Sequence, residues 1–372
     1  MNNEINQEFI KNEKNMKEIS ILLTSAGGLG TPSIIDCIKN NYEKRKVRII
    51  CTDMNDQPII HYKADGFYLL PQGNSRKYID SLLKICKKEK INLIIPNSGR
   101  EILTISRNIH LLNSNKIYAT VPDYNAVIKT MSKYTTFEIL QENKILVPDF
   151  YLVNNKRDFC RAITSLGYPD RTICFKPANY TLSGGARGFR ILKSVNSIDD
   201  IILRNKPDSP QVDYETALRL FTKNKKLDLL VMEYLPGSEY SVYVLANNGK
   251  MEYCIPQLRQ RLEQSYSFEA IVKKNNKIST LCKKIIKIMN LNYNVNIQIK
   301  LSKSGKLKII EINPRMGGSI ALSAAAGVNL QYFGIKLALK EKLPRHKIIY
   351  NTKMIRYWKE LFVNKTKILQ AS

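Results

Sequence analysis

The chain is short of the residues that nucleophilic and metal chemistry most often use. It has three His and one Trp in 372 residues, and its seven Cys form no CxxC pair. Zinc sites and disulfide frameworks need clustered Cys and His, so neither is expected. Most Cys lie inside apolar runs such as RIICTD, RTICFKP and EYCIP, which reads as reduced, buried thiols of a cytosolic protein. No apolar run is long enough to cross a bilayer, so no membrane span is expected. Residues 1–16 are polar and charged, unlike a signal peptide, and the expected location is cytoplasmic. No GxxxxGK[ST] run occurs, which removes a Walker A loop.

Acidic residues are also scarce: 32 Asp and Glu face 59 Lys and Arg, for a net charge of +27. The Lys are spread along the chain among Asn and Ile, as in IKNNYEK and KKEKINLII. A nucleic-acid interface would gather that charge into a patch or stripe, so a solvated Lys-rich surface is the simpler reading. The field still draws anionic ligands such as nucleotides.

The length fits two or three domains. Residues 1–16 read as a disordered lead-in. From 17 to 122, short apolar strands (ISILLT, VRIICTD, GFYLL, INLIIP, IYATVP) alternate with helices over 31–41, 75–89 and near 100–108. That pattern predicts a parallel sheet covered on both faces. Residues 123–143 are expected to form one helix with Asp123 as N-cap. The strand TICFKP (172–177), the loop SGGARG (183–188) and a pattern-poor stretch over 205–227 follow. Then come strands over 227–235, 239–246 and 250–258, with a hairpin signal at Asn248-Gly249. A helix over 276–290 leads to a last hairpin, VNIQIKL (295–301) and KLKIIEIN (306–313), and residues 346–372 form a tail.

That last hairpin is the most informative stretch. Side chains alternate along a strand, so Ile310 and Ile312 share one face while Glu311 and Asn313 share the other. If the SKSG turn pairs Leu301 with Lys306, Gln298 lies opposite Ile309 and diagonal to Glu311, on the Glu311 face. Three oxygen-bearing side chains without His or Cys suit a hard cation such as Mg²⁺. A solvent-facing polar side is the alternative. SGGARG could present backbone amides to phosphates beside Lys176 and Arg187, or be a plain hairpin turn.

Taken in order, Lys176-Pro177, SGGARG, MEYLPGSEYSV (232–242), RQRLE (259–263), NIQ (296–298) and EINPRMGGS (311–319) resemble the ATP-grasp superfamily, in the branch of the carbamoyl phosphate synthase large subunit. The resemblance covers about residues 19–330. It implies α/β plus α+β architecture: a Rossmann-like pre-ATP-grasp domain (17–122), then an ATP-grasp fold (123–345) whose two subdomains sandwich ATP, the lid spanning about 148–232. It implies an ADP-forming carboxylate–amine or carboxylate–nucleophile ligase working through an acyl phosphate, with ATP and Mg²⁺ (or Mn²⁺) as cofactors.

Carried over by residue, the resemblance puts Lys133 and Lys176 on the phosphates, with Ser183, Gly184, Gly185, Arg187 and Gly188 closing over them. Glu233, Tyr234 and Leu235 would form the adenine hinge and Glu239 would meet the ribose. Gln298, Glu311 and Asn313 would hold the metal. Arg315, Lys176 and Arg261 are the catalytic candidates, and Arg259 and Arg261 would lie near the substrate. Apart from the resemblance, Glu101 in the loop after INLIIP is a further substrate candidate by its position. Ser132 stands where relatives often have Asp, and no Gly follows RQRLE closely. Expected partners are a small carboxylate and an amine; a homodimer is compatible.

Two other readings stay open. AGGLGTPS followed by Asp53 is a partial dinucleotide fingerprint lacking its third glycine, which fits an NAD(P)-dependent oxidoreductase. The net charge and 20 Tyr fit a basic nucleic-acid-binding protein without catalysis.

Overall fold

The computed structural model describes residues 17–179, 188–192, 210–223, 227–263, 265–364 and 367–369. Strands β1 (Ile19–Leu23), β2 (Val47–Asp53), β3 (Gly66–Leu69), β4 (Leu93–Ile95) and β5 (Tyr118–Ala119) pair in parallel in the order β3-β2-β1-β4-β5. Their unbroken apolar runs have a simple cause, since both faces are buried. Ile21 and Leu23 pack on α1 (Thr31–Lys39), while Leu22 packs on the opposite side with α2 (Tyr78–Lys88) and α3 (Gly99–Arg107). Strand order reverses between β1 and β4, so the loops leaving their carboxyl ends border one crevice.

Residues 123–143 are two helices, α4 (Tyr124–Met131) and α5 (Lys133–Glu142). Ser132 separates them with extended backbone (φ −106°, ψ 123°), and its side chain caps α5 by accepting from the Thr135 amide at 3.3 Å. The apolar periodicity runs across Ser132 unbroken, and only this cap and the extended backbone mark the boundary.

A second sheet orders β6 (Phe150–Val153), β10 (Leu229–Glu233), β7 (Ile173–Pro177), β8 (Arg190–Leu192) and β9 (Gln211–Val212) as β6-β10-β7-β8-β9. Helix α6 (Lys156–Ser165) packs on it through Phe159, Ala162 and Ile163. The stretch read as patternless supplies β9 and a helix, α7 (Tyr214–Lys223), that buries Ala217 and Leu218 on the same core.

The third sheet has six strands. These are β11 (Glu239–Asn247), β12 (Lys250–Glu263), β13 (Tyr266–Val272), β14 (Tyr293–Leu301), β15 (Leu307–Asn313) and β16 (Lys353–Ile355), in the order β15-β14-β11-β12-β13-β16. β12 runs on through RQRLE, and β13 and the edge strand β16 extend the sheet beyond the strands anticipated. One face carries Val242, Val244, Ile297 and Ile299 against α8 (Asn276–Met289) and Phe137 of α5. The other carries Tyr243, Leu245, Ile255 and Ala270 against α9 (Leu330–Ala338) and the first domain's Ile21 and Ile34. A shared ion-pair network ties the first domain to α9. Lys336 bridges Glu43 (2.6 Å) and Glu341 (3.2 Å), and Arg45 pairs with Glu341 at 2.6 Å.

Candidate active site

The register of the last hairpin sets the site. Leu301 pairs with Leu307, not Lys306, because the turn is one residue longer, closed by the Ser302 amide on the Lys306 carbonyl at 2.9 Å. A bulge at Ile310 then shifts the pairing, so Gln298 faces Glu311 directly and Asn296 faces Asn313. This corrects the simple count that put Gln298 opposite Ile309. The shared face survives the correction, since directly paired residues point to the same side.

The bulge also frees a carbonyl. Lys176, on β7, donates from Nζ to the Ile310 oxygen at 3.0 Å, which joins the second sheet to the third. Lys133 Nζ comes to 3.8 Å from Glu311 Oε1, and both side chains are buried. Its helix is aimed there by the Ser132 break: the Lys133 amide bonds the Ala178 carbonyl at 2.9 Å and Ser132 bridges Asn179. Two lysines far apart in sequence therefore meet one carboxylate. Burial works to raise the Glu311 carboxyl, but Lys133, Lys176, Arg315 and a hydrogen bond from Asn313 hold it below the usual range. Burial lowers Lys133 against the pull of Glu311. Burial, with help from the Lys133 charge, brings Lys176 down to about 8 although Glu311 opposes it.

Asn313 Oδ1 is buried and has no hydrogen-bond partner among the described residues. An orphaned amide oxygen beside a buried carboxylate and the Gln298 side chain is a donor set that a hard cation fits. No group of three His, Cys, Asp or Glu able to hold a metal occurs among the described residues, so a softer metal has no site of that kind there.

Sequence reasoning missed three members of this face. Ser241 on β11 pairs with both Gln298 and Gln257, and Asn296 donates to Ser241 Oγ at 3.1 Å. Glu239, Ser241, Asn296, Gln298 and Gln257 are polar at every second position of otherwise apolar strands, a signal that was legible but unread. Gln257 is fully buried, and neither atom of its amide finds a partner among the described residues.

The other candidates are placed as follows. Glu239 and Arg259, assigned separately to ribose and substrate, are cross-strand neighbours and form an ion pair; Lys300 lies 3.8 Å from Glu239. Arg259 also donates to Ser267 Oγ at 3.0 Å, so its guanidinium is committed inside the protein. Glu233 pairs with Lys308 and accepts from the Asp149 amide at 3.1 Å. Tyr234 lies under Lys300 Nζ at 5.2 Å, and Leu235 is buried. Arg315 donates to the Met316 carbonyl at 2.7 Å and leaves its buried Nε unpartnered among the described residues. Arg261 is half exposed between Glu263 (3.4 Å) and Glu269 (3.6 Å), at the rim rather than in the Glu311 cluster.

Glu101 needs a different account from the one its sequence position invited. It is buried in the first domain and accepts from Thr24, Ser25, Tyr78 and the amides of Asn97 and Ser98, at 2.6 to 3.1 Å. Five donors on two oxygens make it an internal cap of α3 rather than a ligand group. Ser183, Gly184, Gly185 and Arg187 lie outside the described residues; Gly188 is exposed with φ +83°.

The crevice of the first domain is bordered by the EINPRMGGS loop. A Cβ on Gly30 would lie 2.6 Å from the Gly318 carbonyl oxygen, so glycine is required by close backbone approach.

Residues 225–360 match the family described as ATP-grasp in the biosynthetic pathway with Ter operon, and residues 21–119 match the PylC-like N-terminal domain. The family matched over residues 225–360 is an ATP-grasp family, which bears out the expected fold class and marks this region as that of an enzyme that uses ATP. The fold is shared with solved structures of low identity. N5-carboxyaminoimidazole synthetase from Staphylococcus aureus is 17% identical (TM-score 0.63), over 90% of this chain and 82% of that one. The biotin carboxylase domain of Hydrogenobacter thermophilus 2-oxoglutarate carboxylase, solved with MgADP and bicarbonate, is 16% identical (TM-score 0.64; 91% and 74% covered). L-amino acid ligase from Bacillus licheniformis is 14% identical (TM-score 0.60; 88% and 75% covered). No curated protein matches the sequence. Among the described residues no helix is long and apolar enough to cross a membrane.

Proposed function

We propose that this ATP-grasp protein is an ADP-forming ligase that activates a carboxylate as its acyl phosphate and joins it to an amine. The observation that carries the reading is the buried Glu311 carboxylate with Lys133 Nζ at 3.8 Å and Gln298 and Asn313 on its face. Phosphoryl transfer asks the protein for position and charge more than for covalent chemistry. Lys133, Lys176 and Arg315 supply that charge around one point, which requires no Ser–His pair and suits a chain with three His. Mg²⁺ held by Gln298, Glu311 and Asn313 would neutralise phosphate charge when bound.

The roles given to the remaining residues follow the same reading. Residues 17–122 form the preceding domain and 123–345 the ATP-grasp unit, its lid near 148–232. Glu233, Tyr234 and Leu235 face adenine through backbone groups, because the Glu233 side chain is held by Lys308. The neighbouring folds named for carboxyaminoimidazole and amino acid ligation support an ADP-forming ligase of small molecules. An ADP-release screen of carboxylate and amine pairs with Mg²⁺ tests the proposal. One pair should release ADP only when both substrates are present; ATP consumption with no dependence on any carboxylate would overturn it.

A further inference from the structure

Arg315 opens a turn that has little of its own to hold it. Residues 316–319 read Met-Gly-Gly-Ser, and two consecutive glycines leave the backbone free to vary unless something fixes it. The direction of the Arg315 side chain depends on that backbone, because its Nη1 donates to the Met316 carbonyl at 2.7 Å. Its Nε is buried and unpartnered among the described residues, and its charge helps to hold the Glu311 carboxyl down. A guanidinium that meets a phosphoryl group works best when it is placed beforehand. The bond to Met316 places it only while the turn stays still.

Tyr243 holds the turn from below. It lies in the middle of β11 beside Asn296, which in turn pairs with Asn313 on β15. The side chain is buried on the sheet face that carries Ser241 and Gln298. Its Oη accepts from the Ser319 amide at 3.0 Å and shares a hydrogen bond with Ser319 Oγ at 2.9 Å, and Ser319 is buried too. A Cβ on Gly317 would lie 2.8 Å from that oxygen, so the turn rests directly on the phenol. From the other side Arg356 donates to the Gly318 carbonyl, which also abuts Gly30 of the first domain. Packing alone at such a position is served equally by Phe, whereas a buried hydroxyl has to find partners. Both partners of this one belong to the turn that follows Arg315.

We propose that Tyr243 is a positioning residue: its hydroxyl fixes the Gly317-Gly318-Ser319 turn, and the turn holds the Arg315 guanidinium where the γ-phosphoryl group of ATP transfers. The inference rests on the nucleotide site proposed above. Affinity for Mg²⁺ with the non-hydrolysable analogue AMP-PNP, measured by isothermal titration on the full-length protein, reads it without a substrate pair. Arg315→Ala should weaken binding by about tenfold, through loss of one charge-assisted contact. Tyr243→Phe keeps the ring and should weaken it by about fivefold. The double variant should bind no worse than Arg315→Ala alone, because the hydroxyl acts through that arginine. Ser319→Ala keeps the amide bond to Tyr243 and should cost about twofold, with the same dependence on Arg315. Thermal unfolding separates a lost fold from a lost contact, and if Tyr243→Phe does not fold, Ser319→Ala carries the cycle. Unchanged affinity in a folded Tyr243→Phe, or losses that multiply in the double variant, would overturn the proposal. AMP-PNP binding with the expected pattern, but no ADP release with any carboxylate and amine pair, would uphold the role of Tyr243 and overturn the ligase reading alone. No binding of AMP-PNP by the unaltered protein would overturn both.

Discussion

Glu311→Gln is the sharpest perturbation of the site. The substitution keeps the shape and removes one buried negative charge that faces Lys133 at 3.8 Å and balances Lys176 and Arg315. At an effective dielectric of about 20, a pair at that distance attracts by about 4 kcal/mol. Removing one member of a buried pair leaves the other uncompensated, a loss of about 3–5 kcal/mol of stability. Turnover should fall by about a hundredfold to a thousandfold, since charge stabilisation of this kind contributes about 3–4 kcal/mol to the barrier. Thermal unfolding measures the first effect and Mg²⁺-dependent ADP release the second. Adding Lys133→Met should restore part of the lost stability, because it removes the buried lysine that the first substitution leaves uncompensated. It should restore no turnover. Normal Mg²⁺-dependent turnover in Glu311→Gln would refute the site, and unchanged stability would refute the charge argument.

Three further outcomes follow from the same geometry. Lys176 is held down to about 8, from 10.5. ATP affinity of the free protein should therefore decline as pH rises through 8, while stability rises between about 8 and 10.5, where the unfolded chain binds the proton that the folded one has lost. Isothermal titration against pH and chemical denaturation check the two signs. Glu101→Ala strips five donors of their acceptor, so it should destabilise the first domain by about 3 kcal/mol or more, seen by denaturant unfolding; a change confined to substrate KM would contradict the cap assignment. Gln257→Met removes an amide that has no internal partner among the described residues. It should raise stability by about 1 kcal/mol in a denaturant titration, and a loss of that size would show that the amide is satisfied within the fold.

The alternation along EINPR made the shared face of Glu311 and Asn313 readable, because strand period two holds wherever the strand forms. The parallel first domain was equally plain in runs such as VRIICTD, which have no polar side to show. Local chemistry misled at three points. The helix over 123–143 looked continuous because Ser132 carries no strong stop signal, yet the break at Ser132 aims Lys133 at Glu311. Glu101 looked like a loop carboxylate near a crevice, and only the fold supplied the five donors that enclose it. Gln257 and Ser241 carried a periodic signal in strands whose apolar neighbours drew the attention.

Strand faces, the order of the elements and the oxygen-only character of the site were determined by the amino-acid sequence, since each depends on residues close together in the chain. The bulge at Ile310, the meeting of Lys133, Lys176 and Glu311, and the contact of Gly30 with Gly318 were decided by tertiary structure alone. The last two join segments separated by scores of residues, and the bulge shifts the register of one hairpin, so no local preference encodes them.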